Sequence, residues 1–336
     1  MKYCEEFVAR VAADERNRAL SEEVSLGKTA DGLIRAAKLL QVNEVTDLNK
    51  IIARWRGETK GRVFFRGQNR LHELYPYSSA YRATCSEISP MPTIFSNFLE
   101  ALGGKTEISW EDADRLLESD RPVPDLGEAN EDVPFYALEG LFQQYCGGTR
   151  WLDVVDNLGI ALWMATKTYQ RGTGTDGAPF WTVKNVEEAS ENSHFVILYL
   201  ISIRGTEQRH RGLYATEEGS HLLDLREALP SRFLRPHAQH AALLKHDPEA
   251  DDGNLEYVGV RVPLDLALRC SAGELLDVPA LFPESSNDYG FAGFLYLLRG
   301  KFLNKELARP VTVEHLPAEY KCDPAQSYAT YRHRNS

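Results

Sequence analysis

Residues 194–203 read His-Phe-Val-Ile-Leu-Tyr-Leu-Ile-Ser-Ile, a long run of β-branched and aromatic side chains. Such a run suits the pleated, buried surface of a strand. A second apolar run, Val63-Phe64-Phe65, also reads as a buried strand and ends on Arg66-Gly67-Gln68. Residues 241–245 and 257–262 read as further strands. Helical spacing marks residues 46–55, with Leu48, Ile51, Ile52 and Trp55 on one face, and also 264–276 and 291–307. A helix with the buried run Ile160, Ala161, Leu162, Trp163 and Ala165 is expected to begin near Asp156. The strands and helices follow no regular βαβ alternation, so the pattern predicts an α+β fold rather than a doubly wound sheet.

Residues 1–42 carry Phe7, Val8 and Val11, then Leu33, Ile34, Ala37 and Leu40, at helical spacing, with a break near Gly27 and Gly32. They are expected to form an N-terminal helical extension, and residues 43–316 one α+β domain. Within that domain, 103–134 is polar, holds several Pro and Gly, and carries Glu128, Glu131 and Asp132. It reads as an exposed insertion with one short helix. Residues 171–177 and 205–221 read as surface loops, and 317–336 as a flexible tail.

The chain of 336 residues has a net charge of −11, from 38 Lys+Arg against 49 Asp+Glu. An acidic chain is a poor non-specific binder of phosphate backbones. A nucleic acid would need a local basic groove, to which the arginines near 62–82 and 226–235 would contribute. The five cysteines are widely spaced with no CxxC pair, so no zinc site of the usual spacing is present. No P-loop motif occurs. Residues 1–20 are charged throughout and no apolar run reaches about 18 residues. No signal peptide or membrane span is therefore expected, and the default is a cytoplasmic protein with reduced thiols.

Three polar constellations carry the chemistry. The strand ending on Arg66-Gly67-Gln68 would deliver a planar fork of five donors and two amide groups to one point at a sheet edge. This is either an anion site or an arginine paired with a structural carboxylate; taken alone, the second is the commoner case. Next, Thr149, Arg150 and Asp153 follow the Gly147-Gly148 pair and precede the buried helix. They would orient a polar ligand, or else Arg150 and Asp153 would pair to hold the turn. Asp156 and Asn157 fit helix-capping positions. The third constellation is Arg232-Phe233-Leu234-Arg235-Pro236-His237-Ala238-Gln239-His240, at the mouth of a strand. There His237 reads as a surface side chain, His240 is open between surface and site, and Gln239 would position a ligand by hydrogen bonding.

In this order the segments resemble the FRG domain, a bacterial and phage family named for a Phe-Arg-Gly motif. That motif is Phe65-Arg66-Gly67 here, followed by Gln68, with Tyr75-Pro76-Tyr77-Ser78-Ser79 and Arg82 beyond it. In the family's central signature Tyr145, Thr149, Arg150, Leu152, Asp153 and Asn157 match, while Gln144, Gly148, Val154 and Val155 depart from it. Arg235 and Gln239 match a third block, in which Ala241 replaces a glycine. Leu281-Phe282-Pro283-Glu284 with Asp288-Tyr289-Gly290 is similar to the closing segment. The likeness covers about residues 45–300 and leaves residues 1–42 outside it. The family has no generally established activity.

A weaker similarity is to ADP-ribosyltransferases, which implies a mostly antiparallel central sheet flanked by helices. It would put Arg66, Thr149 and Gln239 at three catalytic stations. What the resemblance implies is an NAD-consuming effector of toxin or phage-defence type, acting on a protein or nucleic-acid target. Arg66, Gly67, Gln68, Arg82, Tyr145, Arg150, Asp153 and His240 would hold the NAD, and no metal is expected. One alternative is a sensor module that binds a nucleotide or phosphorylated ligand without turnover, favoured by the lack of a carboxylate with a clear role. The other is a nucleic-acid hydrolase, which ranks last because a metal-dependent one needs clustered carboxylates and only Asp153 and Asp156 lie near the three blocks.

Overall fold

The computed structural model describes residues 2–13, 20–28, 34–69, 71, 115–123, 132–145, 149–170, 180–183, 194–246, 254–271, 278–283, 287–291 and 294. Thirteen strands and eight helices are defined among them. The strands are β1 (Lys2–Tyr3), β2 (Leu20–Lys28), β3 (Ile34–Gln41), β4 (Arg62–Gln68), β5 (Leu152–Val155), β6 (Lys167–Gln170), β7 (Phe180–Val183), β8 (Phe195–Ile203), β9 (Glu207–His210), β10 (Leu213–Ala215), β11 (His221–Asp224), β12 (Ala241–Lys245) and β13 (Leu255–Pro263). The helices are α1 (Glu5–Ala13), α2 (Val45–Thr59), α3 (Phe135–Tyr145), α4 (Leu158–Ala165), α5 (Leu225–Ala228), α6 (Leu234–Ala238), α7 (Leu264–Cys270) and α8 (Val278–Leu281). None is long and apolar enough to cross a membrane.

One large sheet runs in the order β2-β3-β13-β8-β4-β5-β12-β11-β10-β9, and β1 joins β13 off this path. Every pairing is antiparallel except those of β1 and β3 with β13. The expected α+β class with a mostly antiparallel sheet is therefore present.

The long apolar run forms β8, with β13 on one side and β4 on the other. Its side chains alternate: Val196, Leu198 and Leu200 enter one core, and Ile197, Tyr199 and Ile201 the other. Period-two alternation with both faces apolar is what a strand buried on two sides requires. On the first face α1, α2, α4 and α7 cover the sheet, with Trp55 of α2 packed edge-on against Phe7 of α1. On the same side, α3 covers β11 and β12 through Leu138, Leu141 and Phe142 against Leu223 and Leu243. A cleft lined from both groups, by Gln143 and Gln144 of α3 and by Met164 of α4, lies between them.

Four expectations are corrected. Residues 1–42 are not a helical extension: α1 is helical, but β2 and β3 are strands, and β3 pairs with β13 in the main sheet. Adjacent Leu39 and Leu40 enter opposite cores, as strand residues do. Pairing with a sheet edge remote in sequence overrides the local helical spacing. Residues 205–221 hold β9 and β10 rather than a loop, turning at Gly212 (φ 76°) and Gly219 (φ 89°). Strand β9 reads as loop because it lies at the end of the sheet path and is almost wholly exposed, and an edge strand of this kind carries charge against stray pairing. The 103–134 segment is not simply exposed, since Leu117, Val123 and Val133 are buried with α3. Of the two long helices expected late in the chain, 264–276 is helical only over Leu264–Cys270. Residues 272–277, most of 291–307 and the 171–177 and 317–336 segments lie outside the described residues.

Candidate functional site

Strands β4 and β5 are registered at Phe65↔Val155 only, so they part towards the end of β4. A cleft of about 360 Å³ opens there, within the range of about 300–1,000 Å³ usual for small-ligand sites. Arg66, Gly67, Gln68 and Asn69 line one side and Asp153 to Val155 the other. Gln143 and Gln144 enter from the end of α3, Met164 and Lys167 from α4 and the residues after it, and Gln239 and Ala241 from the start of β12. Where the strands part, the Arg66 side chain bridges them: its Nη1 donates to the Asp153 carbonyl at 2.6 Å.

Asp153 organises the floor. Its Oδ2 accepts from Gln143 Nε2 at 2.6 Å and its Oδ1 from Gln144 Nε2 at 3.3 Å. Gln143 Oε1 in turn accepts from the Thr149 backbone N–H (3.0 Å) and hydroxyl (2.7 Å), while Thr149 Oγ1 accepts from Trp151 N. Thr149 is 0% exposed and is not part of the cleft lining. Its hydroxyl ties the turn to α3. Arg150 does not pair with Asp153. Its Nε and Nη2 fork onto Glu139 of α3, at 3.1 and 2.9 Å.

The third block backs the cleft. Arg235 is buried, its guanidinium 4.7 Å from the Tyr145 ring centre and 4.9 Å from that of Phe291, with Nη1 donating to Gln144 O. Tyr145 is buried as well, and its hydroxyl donates to Asp288 Oδ2 at 2.7 Å. Burial, then the Asp288 carboxylate, push its pKa well above the ordinary phenol value, so it stays a proton donor. Gln239 reaches the cleft with its Nε2 fixed on Leu281 O at 2.7 Å, leaving Oε1 with no protein partner among the described residues.

His240 falls outside the cleft lining, in a second polar cluster. Its backbone is left-handed (φ 51°) and its Nδ1 lies 2.9 Å from Asp156 Oδ1 and 3.2 Å from Arg226 Nη1. The nearer carboxylate makes Nδ1 the proton-bearing nitrogen. Arg226 is held by Asp156 (2.7 Å) and forks onto Asp224. Asn157, not Asp156, caps α4 through Oδ1 on the Ile160 N–H. Burial alone would raise the Asp156 carboxyl, but hydrogen bonds from Arg226 and His240 outweigh it and hold its pKa below the usual carboxylate value. A depressed folded-state pKa adds stability above the unfolded value and loses it as pH falls. Asp156→Asn is thus expected to be less stable than the wild type above about pH 4, the two converging as acid protonates Asp156. Urea midpoints measured from about pH 7 down to about pH 3 test this; a constant gap across that range would refute it.

Of the expected site residues, Arg66, Gly67, Gln68, Asp153 and Gln239 converge on one cleft, whereas Tyr145, Thr149, Arg150 and His240 do not line it. Arg82 lies outside the described residues. The sequence reading missed Lys167 and Gln143. Lys167 is the cation directly after the apolar helix α4 and its Thr166 cap, which is the signal that could have found it. Compared with known proteins, the chain matches no family model, no curated sequence and no solved structure.

Proposed function

We propose that the chain binds NAD or a related nucleotide in the Arg66 cleft and acts as an ADP-ribosyltransferase-like effector, of the toxin or phage-defence kind implied by the resemblance to the FRG family. One observation carries the reading: Arg66, Asp153 and Gln239, from the three separate blocks of the resemblance, line a single cleft. Arg66 and Lys167 give its lining two cations, suited to a pyrophosphate. The free Oε1 of Gln239 is the negative end of a fixed dipole, placed to favour a developing oxocarbenium ion. It is weaker in that role than an ionised carboxylate, so positioning would supply much of the rate.

A second reading, a nucleotide sensor without turnover, is favoured by the state of Asp153. This is the one carboxylate of the cleft lining among the described residues, and both its oxygens already accept from glutamine amides. Calorimetry with NAD, followed by an assay for released nicotinamide, separates the two. Wild-type protein is expected to bind NAD and release nicotinamide, with Arg66→Ala weakening binding about 10–100-fold, as for loss of a charge-assisted hydrogen bond. Binding without release moves the function to the sensor. Unchanged binding and turnover in Arg66→Ala would overturn both.

A further inference from the structure

Two side chains of the cleft, Gln68 and Lys167, take no part in the hydrogen bonds that hold its walls. Gln68 is 7% exposed, and its buried Oε1 accepts no hydrogen bond among the described residues. Buried acceptors are nearly always satisfied, so one left open in a cleft marks a place for a donor from outside the chain. Lys167 is half-buried, and among the described residues it has no carboxylate partner; its ammonium sits 5.2 Å from the centre of the Trp163 ring. Burial lowers its pKa, which means its charge lacks compensation and an arriving anion would supply it. Asp153, the carboxylate on the same lining, is engaged by Gln143 and Gln144.

We propose that Gln68 and Lys167 set the ligand specificity of the cleft: Lys167 holds a phosphate, and Gln68 Oε1 accepts a hydrogen bond from an amino group on a ring or carboxamide of the same ligand. The inference rests on the nucleotide reading of the cleft and narrows it to a nucleotide bearing –NH₂. Two groups supply this chemistry, the exocyclic amine of adenine and the carboxamide of nicotinamide. Replacing either –NH₂ by oxygen sets an acceptor against the Gln68 acceptor.

The test is calorimetry of the full chain with two matched pairs: AMP against IMP, and nicotinamide mononucleotide against nicotinic acid mononucleotide. In the wild type one pair is expected to separate by about tenfold or more in favour of the amino member, and which pair separates names the source. In Gln68→Leu the ratio collapses towards one; being a ratio within one variant, it is independent of the folded fraction. Lys167→Gln weakens both members by about tenfold or more while keeping their ratio, and Lys167→Arg restores much of the loss. Discrimination that survives Gln68→Leu, unchanged affinity in Lys167→Gln, or no binding of any of the four overturns the proposal. Nicotinamide release from NAD without this discrimination overturns it alone and leaves the transferase reading standing. Discrimination through Gln68 with no release from NAD does the reverse.

Discussion

Gly67→Ala is expected to cost the fold about 3 kcal/mol or more, the upper end for overpacking a tight contact. Helix α4 lies directly on β4, and a Cβ at position 67 would fall inside the contact radius of the Ala161 carbonyl oxygen, with the Ala165 Cβ 2.9 Å away. The obstacle is backbone rather than the tip of a flexible side chain. The helix has little room to retreat, since Ile160, Ala161, Leu162, Trp163 and Ala165 are all buried and Asn157 fixes its start. Typical domains hold only about 5–15 kcal/mol in total, so the variant would sit close to unfolding. Urea denaturation measures the loss. Ala165→Gly in the same background would relieve little, because the Ala161 carbonyl remains. A loss under about 1 kcal/mol would mean that α4 does not approach β4 this closely. The glycine of the Phe-Arg-Gly motif thus has a packing reason: Phe65 enters the core, Arg66 bridges two parting strands, and Gly67 lets the helix come down beside the cleft.

How far the sequence foretold the molecule depended on whether a signal was local. The apolar runs of β4, β8 and β13 are dense enough to be read directly, and α2 follows the spacing of Leu48, Ile51, Ile52 and Trp55. Strand β3 escaped because it enters the main sheet by pairing with β13, more than two hundred residues on, and β2 is a strand through its pairing with β3. The cleft was half legible. Arg66 and Gln239 were marked by the order of the blocks, but the partners of Thr149 and Arg150 lie on α3, where Gln143 and Glu139 are spaced to face the turn. A hydroxyl and a cation beside a glycine pair look like ligand groups until those partners are known. The one sequence hint was Glu139 itself, an acid inside the apolar helix Phe-Tyr-Ala-Leu-Glu-Gly-Leu-Phe. A buried acid in such a helix needs a cation, and the nearest one after the turn is Arg150.

That pairing makes Arg150→Ala the other severe substitution. Glu139 is 2% exposed, and three donors reach it: Arg150 Nε (3.1 Å), Arg150 Nη2 (2.9 Å) and the Arg150 backbone N–H (3.2 Å). Truncation removes two of the three and leaves a carboxylate buried without its counter-charge, which typically costs about 3–5 kcal/mol. Arg150→Lys should recover only part, since an ammonium cannot reproduce the two-pronged contact. The double variant Glu139→Gln with Arg150→Met should recover more than lysine does, because no charge is then left stranded. Unfolding midpoints order these variants. Ligand affinity in Arg150→Lys, taken on the folded fraction, should stay near that of the wild type, because Arg150 is not in the cleft lining. The opposite pattern, full stability with lost affinity, would return Arg150 to the ligand and remove the structural account of the Thr149–Asp153 turn.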